Sequence, residues 1–245
     1  MRALLLVAAV LLSAACITPQ RAARASARFE LGVAYFKEGS VELSLAALRD
    51  AAELDPTAWK PWNTLGVVYI AKGERELAED AFKRALRMAP DEAEILNNYG
   101  TLLVDLGRND EAIASLEKAL DDLEYRNIAM IQSNLSFALL RAGRSEDALR
   151  YAREATRRAP TMCRAWYNLG LVQESRKDSL AALEAYNEAL EACPNDAMGA
   201  RLRTGCLQVE TGLDDGVSML EGIVSASPGT TYADEARACL RVAGR

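Results

Sequence analysis

Cysteine is the residue type in this sequence with the clearest capacity for chemistry. The chain has five cysteines, and four of them lie in its last third: Cys163, Cys193, Cys206 and Cys239. Thiols form disulfides, bind metal ions or act as nucleophiles, and each use favours its own spacing. The usual spacing of a zinc site is missing, because no CxxC pair occurs. Disulfides are therefore the first hypothesis, and buried free thiols that pack as small hydrophobic groups are the alternative.

The absence of histidine excludes several kinds of catalytic site. Without it, no Ser-His-Asp or Cys-His relay can form, and no imidazole is available as a metal ligand. No other constellation of acid, base and nucleophile is visible. We therefore predict that the chain is not an enzyme and uses no metal, cofactor or small-molecule substrate. The formal charge of −6 also argues against a nucleic-acid partner, since binding to phosphates needs a basic surface.

Residues 1–15 are predicted to be a signal peptide. An apolar run from Ala3 to Leu12 follows a single arginine, and small residues up to Ala15 follow the run. The run is too short for a transmembrane helix, which takes about 20 apolar residues. We therefore expect the segment to be removed before Cys16.

Cys16 and the small residues before it resemble the bacterial lipobox. This resemblance implies that Cys16 is acylated and becomes the first residue of the mature protein, although Ser13 stands where leucine is usual. Cleavage by ordinary signal peptidase is the alternative, and it would leave a soluble protein. Ile17 follows the cysteine, where aspartate is absent. By resemblance to sorted bacterial lipoproteins, this implies that the protein is anchored in the outer membrane and faces the periplasm.

Residues 16–24 are interpreted as a lipidated tether. They include Arg21 and Arg24 and no acidic residue. A solvated linker is the preferred interpretation, and contact of the arginines with anionic lipid headgroups is the alternative.

The rest of the chain repeats one unit. Gly32, Gly66 and Gly100 are 34 residues apart. In the second copy, positions 4, 7, 8, 11, 15, 20, 24, 27 and 32 match the tetratricopeptide pattern: Trp62, Leu65, Gly66, Tyr69, Gly73, Ala78, Phe82, Ala85 and Pro90. Small residues at positions 8 and 20 allow two antiparallel helices to approach closely, and the larger residues fill the space between turns.

This register predicts an all-α fold, a right-handed superhelix of about thirteen helices. Six repeats are assigned to residues 25–58, 59–92, 93–128, 129–162, 163–196 and 197–230. The third repeat has two extra residues near Tyr125, and the sixth is degraded. Residues 231–245 are predicted to form a capping helix, because the last unit of a stack has one face in water.

The repeat register selects among the three possible cysteine pairings. Cys163 and Cys193 are positions 1 and 31 of one repeat, and antiparallel helices bring these positions together. Cys206 and Cys239 are 33 residues apart, which is nearly one period and places them at similar heights on stacked helices. We therefore predict disulfides between Cys163 and Cys193 and between Cys206 and Cys239.

A partner is expected to bind along the first helix of each repeat, at positions near 2, 5, 9 and 12. The residues there are largely apolar and suit an amphipathic helix or hydrophobic segment of another protein. Coverage of these side chains by the adjoining helix or the tether is the alternative. Asn98, Asn134 and Asn168 share position 6 and are interpreted as structural. The predicted groove residues are Phe29, Val33, Phe36, Asn63, Val67, Ile70, Asn97, Val104, Met130, Phe137, Leu140, Tyr167 and Leu171.

Two runs and the junction between them resemble the type IV pilus pilotin family called PilF, PilW or Tgl. The runs are Leu96-Asn97-Asn98-Tyr99-Gly100 and Ser133-Asn134-Leu135, and the lengthened junction lies around Tyr125. A lipobox-like cysteine and six repeats complete the similarity, which spans essentially the whole mature chain. In that family an outer-membrane lipoprotein promotes assembly of the secretin PilQ, and the resemblance implies the same partner here. The departures are Ser136 where glycine is usual and the four late cysteines.

Other functions remain open at this point. One is a different repeat lipoprotein, such as a β-barrel assembly subunit or a scaffold for peptidoglycan hydrolases. Another is a soluble periplasmic adaptor, which would follow if Cys16 were not acylated.

Overall fold

A computed structural model describes residues 18–122, 124–212, 215–242 and 244. Across these residues the chain forms α-helices joined by turns, with no strand, which confirms the predicted all-α class. Thirteen helices lie in the described part, the number that the repeats predicted. None of them is long and apolar enough to span a membrane. The predicted signal peptide and Cys16 lie outside the described residues.

The chain divides into two compact units, and the first comprises residues up to Leu102. In this unit, α1 packs against α2 and α3, α2 packs against α3, and α3 packs against α4. A fifth helix, α5, starts in the first unit and ends in the second. The bounds are α1 Pro19–Lys37, α2 Val41–Leu54, α3 Trp59–Lys72, α4 Arg75–Met88 and α5 Ala93–Asp105.

The second unit begins at Leu103 and contains the remaining helices. Sequence neighbours pack against one another from α6 to α13, and the last helix also contacts α11. The bounds are α6 Asn109–Ala119, α7 Ile128–Arg141, α8 Ser145–Arg158, α9 Cys163–Ser175, α10 Ser179–Ala192, α11 Met198–Glu210, α12 Asp215–Ala226 and α13 Thr231–Val242.

Small residues at position 8 set the distance between the two helices of a repeat. A Cβ added to Gly66 would lie 2.6 Å from the Phe82 ring, and one added to Gly32 would lie 2.6 Å from Leu48 Cγ. In the fourth repeat Ser136 takes this buried position, and its hydroxyl donates to the Ser133 carbonyl at 2.7 Å. Serine is small enough for this position, and its buried hydroxyl has a hydrogen-bond acceptor. It can therefore replace glycine here.

The N-terminal boundary of the repeat region differs from the prediction. Residues 19–24, which belong to the predicted tether, form the first turns of α1. The Thr18 side chain accepts a hydrogen bond from the Arg21 amide at 3.3 Å, and Pro19 occupies the first turn, where its missing N–H costs nothing. Arg21 also donates to the carbonyl of Glu53 at 2.8 Å and joins this end of α1 to α2.

The longer junction near Tyr125 is present in the structure. Residues 120–127 separate α6 from α7, whereas residues 55–58 suffice between α2 and α3. The extra length therefore falls in the connection between the third and fourth repeats, near Tyr125 as the repeat spacing predicted.

Within most repeats the turn between the two helices places glycine in the left-handed conformation. Gly73 has φ 81° and Gly143 has φ 77°, but the turn between α9 and α10 uses Lys177 at φ 63°. A side chain in this conformation costs about 1 kcal/mol. The fifth repeat therefore contains a locally unfavourable turn that the others avoid.

Replacement of Lys177 by glycine is expected to raise the free energy of unfolding by about 1 kcal/mol, because glycine adopts this φ without a steric penalty. Chemical denaturation followed by circular dichroism measures the change. Gly143→Ala at the corresponding turn of the fourth repeat provides the reverse test and should destabilise the fold by a similar amount. Equal stability of Lys177→Gly and the parent would contradict the assigned backbone conformation.

Candidate partner-binding surface

Each unit carries a row of partly accessible apolar side chains on the first helices of its repeats. In the first unit these half-buried residues are Phe29, Val33 and Phe36 on α1 and Val67 and Ile70 on α3. In the second unit they are Met130, Phe137 and Leu140 on α7 and Tyr167 and Leu171 on α9. Partial burial fixes these side chains against the fold and leaves apolar area for contact with a partner.

Three predicted groove residues do not belong to this accessible row. Asn63 and Asn97 are each 2% exposed, and Val104 is 6% exposed. The amide of Asn63 serves the fold, since its Nδ2 donates to Glu94 Oε1 at 2.8 Å and its Oδ1 accepts from Asn98 at 3.2 Å. We therefore correct the prediction for these three positions, which contribute to packing between helices.

Asparagines at position 6 join one repeat to the next. Asn98 on α5 reaches Asn63 on α3, as described above. In the second unit, Asn168 Nδ2 on α9 donates to the Ser133 carbonyl at 2.9 Å and to its hydroxyl at 3.0 Å on α7. Both bonds connect position 6 of one repeat with position 5 of the repeat before it, which agrees with a structural role.

A charged group that the sequence analysis did not select lies beside the row of the second unit. Glu174 on α9 accepts from the Tyr186 hydroxyl at 2.6 Å and from the Arg203 guanidinium at 3.2 Å. Burial raises the pKa of the Tyr186 phenol, and the Glu174 carboxylate adds to the shift, so the phenol stays protonated and donates. Glu174 is position 12 of the fifth repeat, so the same periodic pattern identifies it.

Tyr167 lies in a cleft between α9, α11 and α13. The cleft has a volume of about 330 Å³ and is also lined by Cys163, Arg164, Gly199 and Tyr232. A Cβ at Gly199 would approach the Tyr167 ring to 3.2 Å, so the glycine leaves room for this ring. Burial raises the pKa of the Tyr167 phenol, which therefore remains neutral. The cleft can accept an apolar or aromatic side chain, with Arg164 available for a polar contact.

The four late cysteines form two pairs in the structure. Cys163 pairs with Cys193 with a Cα–Cα distance of 5.7 Å, and Cys206 pairs with Cys239 at 5.4 Å. The first pair ties the start of α9 to the end of α10, and the second ties α11 to α13. Among the described residues, no cluster of carboxylates and thiols suits a metal ion.

Successive helical hairpins with small residues at their crossings define an α-helical repeat protein. Family models described as tetratricopeptide repeat match residues 2–58 and 137–197, residues 91–161, and residues 59–92. The chain therefore belongs to the tetratricopeptide repeat family, whose members typically bind other proteins and are not enzymes.

Several solved structures are similar to this chain. PilF of Pseudomonas aeruginosa is 23% identical with a TM-score of 0.73, and the alignment covers 89% of this chain and 99% of that one. PilW, a widely conserved type IV pilus biogenesis factor, is 20% identical with a TM-score of 0.77, over 86% and 96% of the two chains. YrrB, a repeat protein with an unusual peptide-binding site, is 26% identical with a TM-score of 0.53, over 71% and 90%. No curated protein matches the chain. At these identities, the similarity to PilF and PilW shows a shared fold.

Proposed function

We propose that the protein is a type IV pilus biogenesis lipoprotein that binds the outer-membrane secretin PilQ and promotes its assembly in the membrane. The observation that carries this proposal is the extent of the match with PilF, which includes 89% of this chain and 99% of that one. A match of nearly full length on both sides concerns the whole array of repeats, and does not depend on one repeat module shared by many proteins. The similarity of the Asn97–Gly100 run and the Tyr125 junction to the pilotin family supports the same function.

The half-buried apolar rows supply a mechanism. A secretin protomer has hydrophobic surface that inserts into the membrane, and this surface aggregates unless it is covered before the ring closes. Side chains such as Val67 in the first unit and Phe137 in the second offer apolar area of the matching kind. Anchoring of the chain through Cys16 raises the local concentration of both partners at the membrane.

The cleft around Tyr167 provides a second point of contact for the partner. A small number of well-enclosed side chains usually dominate the binding energy of an interface. One apolar side chain of the secretin would enter this cleft of about 330 Å³. Arg203 interacts with the Tyr167 hydroxyl and with Glu174, and these two charged residues would orient polar groups of the same segment.

Heat-resistant secretin multimers in a deletion strain of the source bacterium provide the test. Expression of the unaltered chain should restore them, whereas Cys16→Ala should leave the protein outside the membrane fraction and lower the multimer yield severalfold, because local concentration is lost. Normal multimers with the lipid absent would count against the proposal. Multimers that are unaffected even by deletion would favour a different envelope scaffold.

A binding experiment with purified secretin fragments distinguishes the apolar row from apolar surface in general. Phe137→Ala should weaken binding to purified secretin fragments by about 2 kcal/mol if the residue is central to the interface. Leu180→Ala is a suitable control, because Leu180 is 77% exposed and lies on α10, a second helix of its repeat. Circular dichroism verifies that both variants fold. Equal loss of binding in the two variants would contradict a specific role for the row.

A further inference from the structure

The first turns of α1 form a strongly basic edge. Arg21, Arg24 and Arg28 follow the i, i+3, i+7 spacing, which places them on one side of a helix. All three are exposed, and no acidic residue occurs from Ile17 to Phe29. In a chain with a formal charge of −6, this edge is a local concentration of the opposite sign.

The contacts that position these arginines in the fold leave their side chains exposed to solvent and charged. Arg21 donates to a main-chain carbonyl, that of Glu53, and retains further N–H donors. Arg28 lies 3.7 Å from Asp50 in an ion pair whose side chains are each about half exposed, and such pairs contribute little and exchange readily. The three arginines also line a shallow cleft of about 610 Å³ between α1 and the end of α2, where Asp50 and Glu53 offset part of their positive charge.

We propose that this basic edge binds the anionic phospholipid headgroups of the bilayer that anchors the protein. The inference rests on the proposed lipidation of Cys16, from which Thr18 is only two residues away. Two residues span at most about 7 Å, so the start of α1 must lie beside the membrane surface if Cys16 carries the lipid. With a rise of about 1.5 Å per residue, Arg21 then lies within the range over which an anionic surface attracts cations, about 8 to 10 Å at physiological salt. Arg24 and Arg28 come within the same range when α1 lies along the surface.

Another helix with the same spacing of arginines allows a comparison within the chain. Arg150, Arg153 and Arg157 also follow i, i+3, i+7, on α8. That helix carries Asp147 and Glu154 as well, and Arg150 lies 3.6 Å from Asp147. Both arginine rows therefore have one weak ion pair, and what distinguishes α8 is that its acidic residues lie on the helix itself and that no predicted lipid-bearing residue lies near it in the sequence. For these reasons the observations favour α1.

This contact would fix the orientation of α1 relative to the membrane surface. A lipid anchor attached through a flexible tether would let the repeats adopt any angle to the membrane. A helix that begins at Pro19 and holds three arginines against the headgroups restricts this freedom. The contact would therefore present the apolar row of the first unit to a partner in a preferred direction.

Binding to vesicles tests the proposal with the unacylated chain, in which Cys16→Ser replaces the lipid-bearing residue. Sedimentation with vesicles of equal parts phosphatidylglycerol and phosphatidylcholine should exceed sedimentation with pure phosphatidylcholine, and added salt should weaken it. Equal binding to neutral vesicles, or no binding to anionic ones, would overturn the proposal.

Two triple variants locate the binding surface. Arg21→Gln with Arg24→Gln and Arg28→Gln should lower the partition onto anionic vesicles at least about tenfold. The matched control is Arg150→Gln with Arg153→Gln and Arg157→Gln, which removes the same number of charges at the same spacing and should change the partition by less than about twofold. Equal losses would mean that net charge alone is measured, and the assignment to α1 would fail. If the first triple variant does not fold, Arg24→Glu alone should still weaken binding severalfold.

This experiment contains no secretin. Absence of vesicle binding would therefore contradict the lipid contact without affecting the proposed secretin partner. Unchanged secretin multimers would contradict the secretin partner without affecting the lipid contact.

Discussion

Replacement of Gly170 by alanine is expected to lower the free energy of unfolding by about 2 kcal/mol. A Cβ at Gly170 would overlap the ring of Tyr186, which is fully buried. This ring cannot turn aside easily, because its hydroxyl donates to Glu174 at 2.6 Å. The added methyl group would therefore force α9 and α10 apart, and the cost would exceed the gain of about 1 kcal/mol that alanine brings to a helix.

Gly222→Ala isolates the effect of close packing from that of helix propensity. Gly222 also lies within a helix, α12, but it is exposed and no heavy atom lies within 4 Å of an added Cβ. This substitution should leave stability unchanged or raise it by up to about 1 kcal/mol. Urea denaturation followed by circular dichroism measures both variants. If Gly170→Ala were as stable as the parent, the approach of α9 to Tyr186 would not limit the packing of the fifth repeat.

The sequence is sufficient to predict the features that depend on the repeat spacing. The glycines at position 8 recur because two helices must cross closely, so the spacing of Gly32 and Gly66 locates the hairpins. The cysteine pairs follow from the same register, since antiparallel helices bring Cys163 near Cys193. These inferences succeed because each depends on geometry within one repeat or between equivalent positions of neighbouring repeats.

Other features depend on individual contacts that no period encodes. The start of α1 differs from the predicted boundary because it depends on the cap at Thr18 and on the hydrogen bond from Arg21 to α2. Asn63 occupies a groove position in the pattern, but Glu94 and Asn98 of the next repeat bind its amide and bury it. Such pairing depends on the residue types present in two neighbouring repeats. The repeat pattern of a single unit therefore does not predict that Asn63 is buried.

Loss of the disulfide within the fifth repeat is expected to lower the free energy of unfolding by about 3.5 kcal/mol. The bond closes a loop with a sequence separation of 30 residues, and without it the unfolded chain gains the corresponding conformational freedom. Cys163→Ser with Cys193→Ser is the variant, and guanidinium denaturation gives the change. Cys206→Ser with Cys239→Ser removes a crosslink with a sequence separation of 33 residues and should cost nearly the same on loop entropy alone.

The two pairs should differ in what unfolds when they are reduced. Cys163 and Cys193 pack against a cluster that includes buried Tyr186, so apolar contacts still hold α9 and α10 together. The last helix, α13, has only Ala233 and Ala236 fully inside the core, and Cys239 provides its covalent tie to α11. Hydrogen exchange after reduction should therefore show loss of protection first in α13, with α9 and α10 protected for longer. Peptide mapping of the unreduced protein gives the prior check, because alkylation of all four thiols would contradict both bonds and remove the basis for the difference.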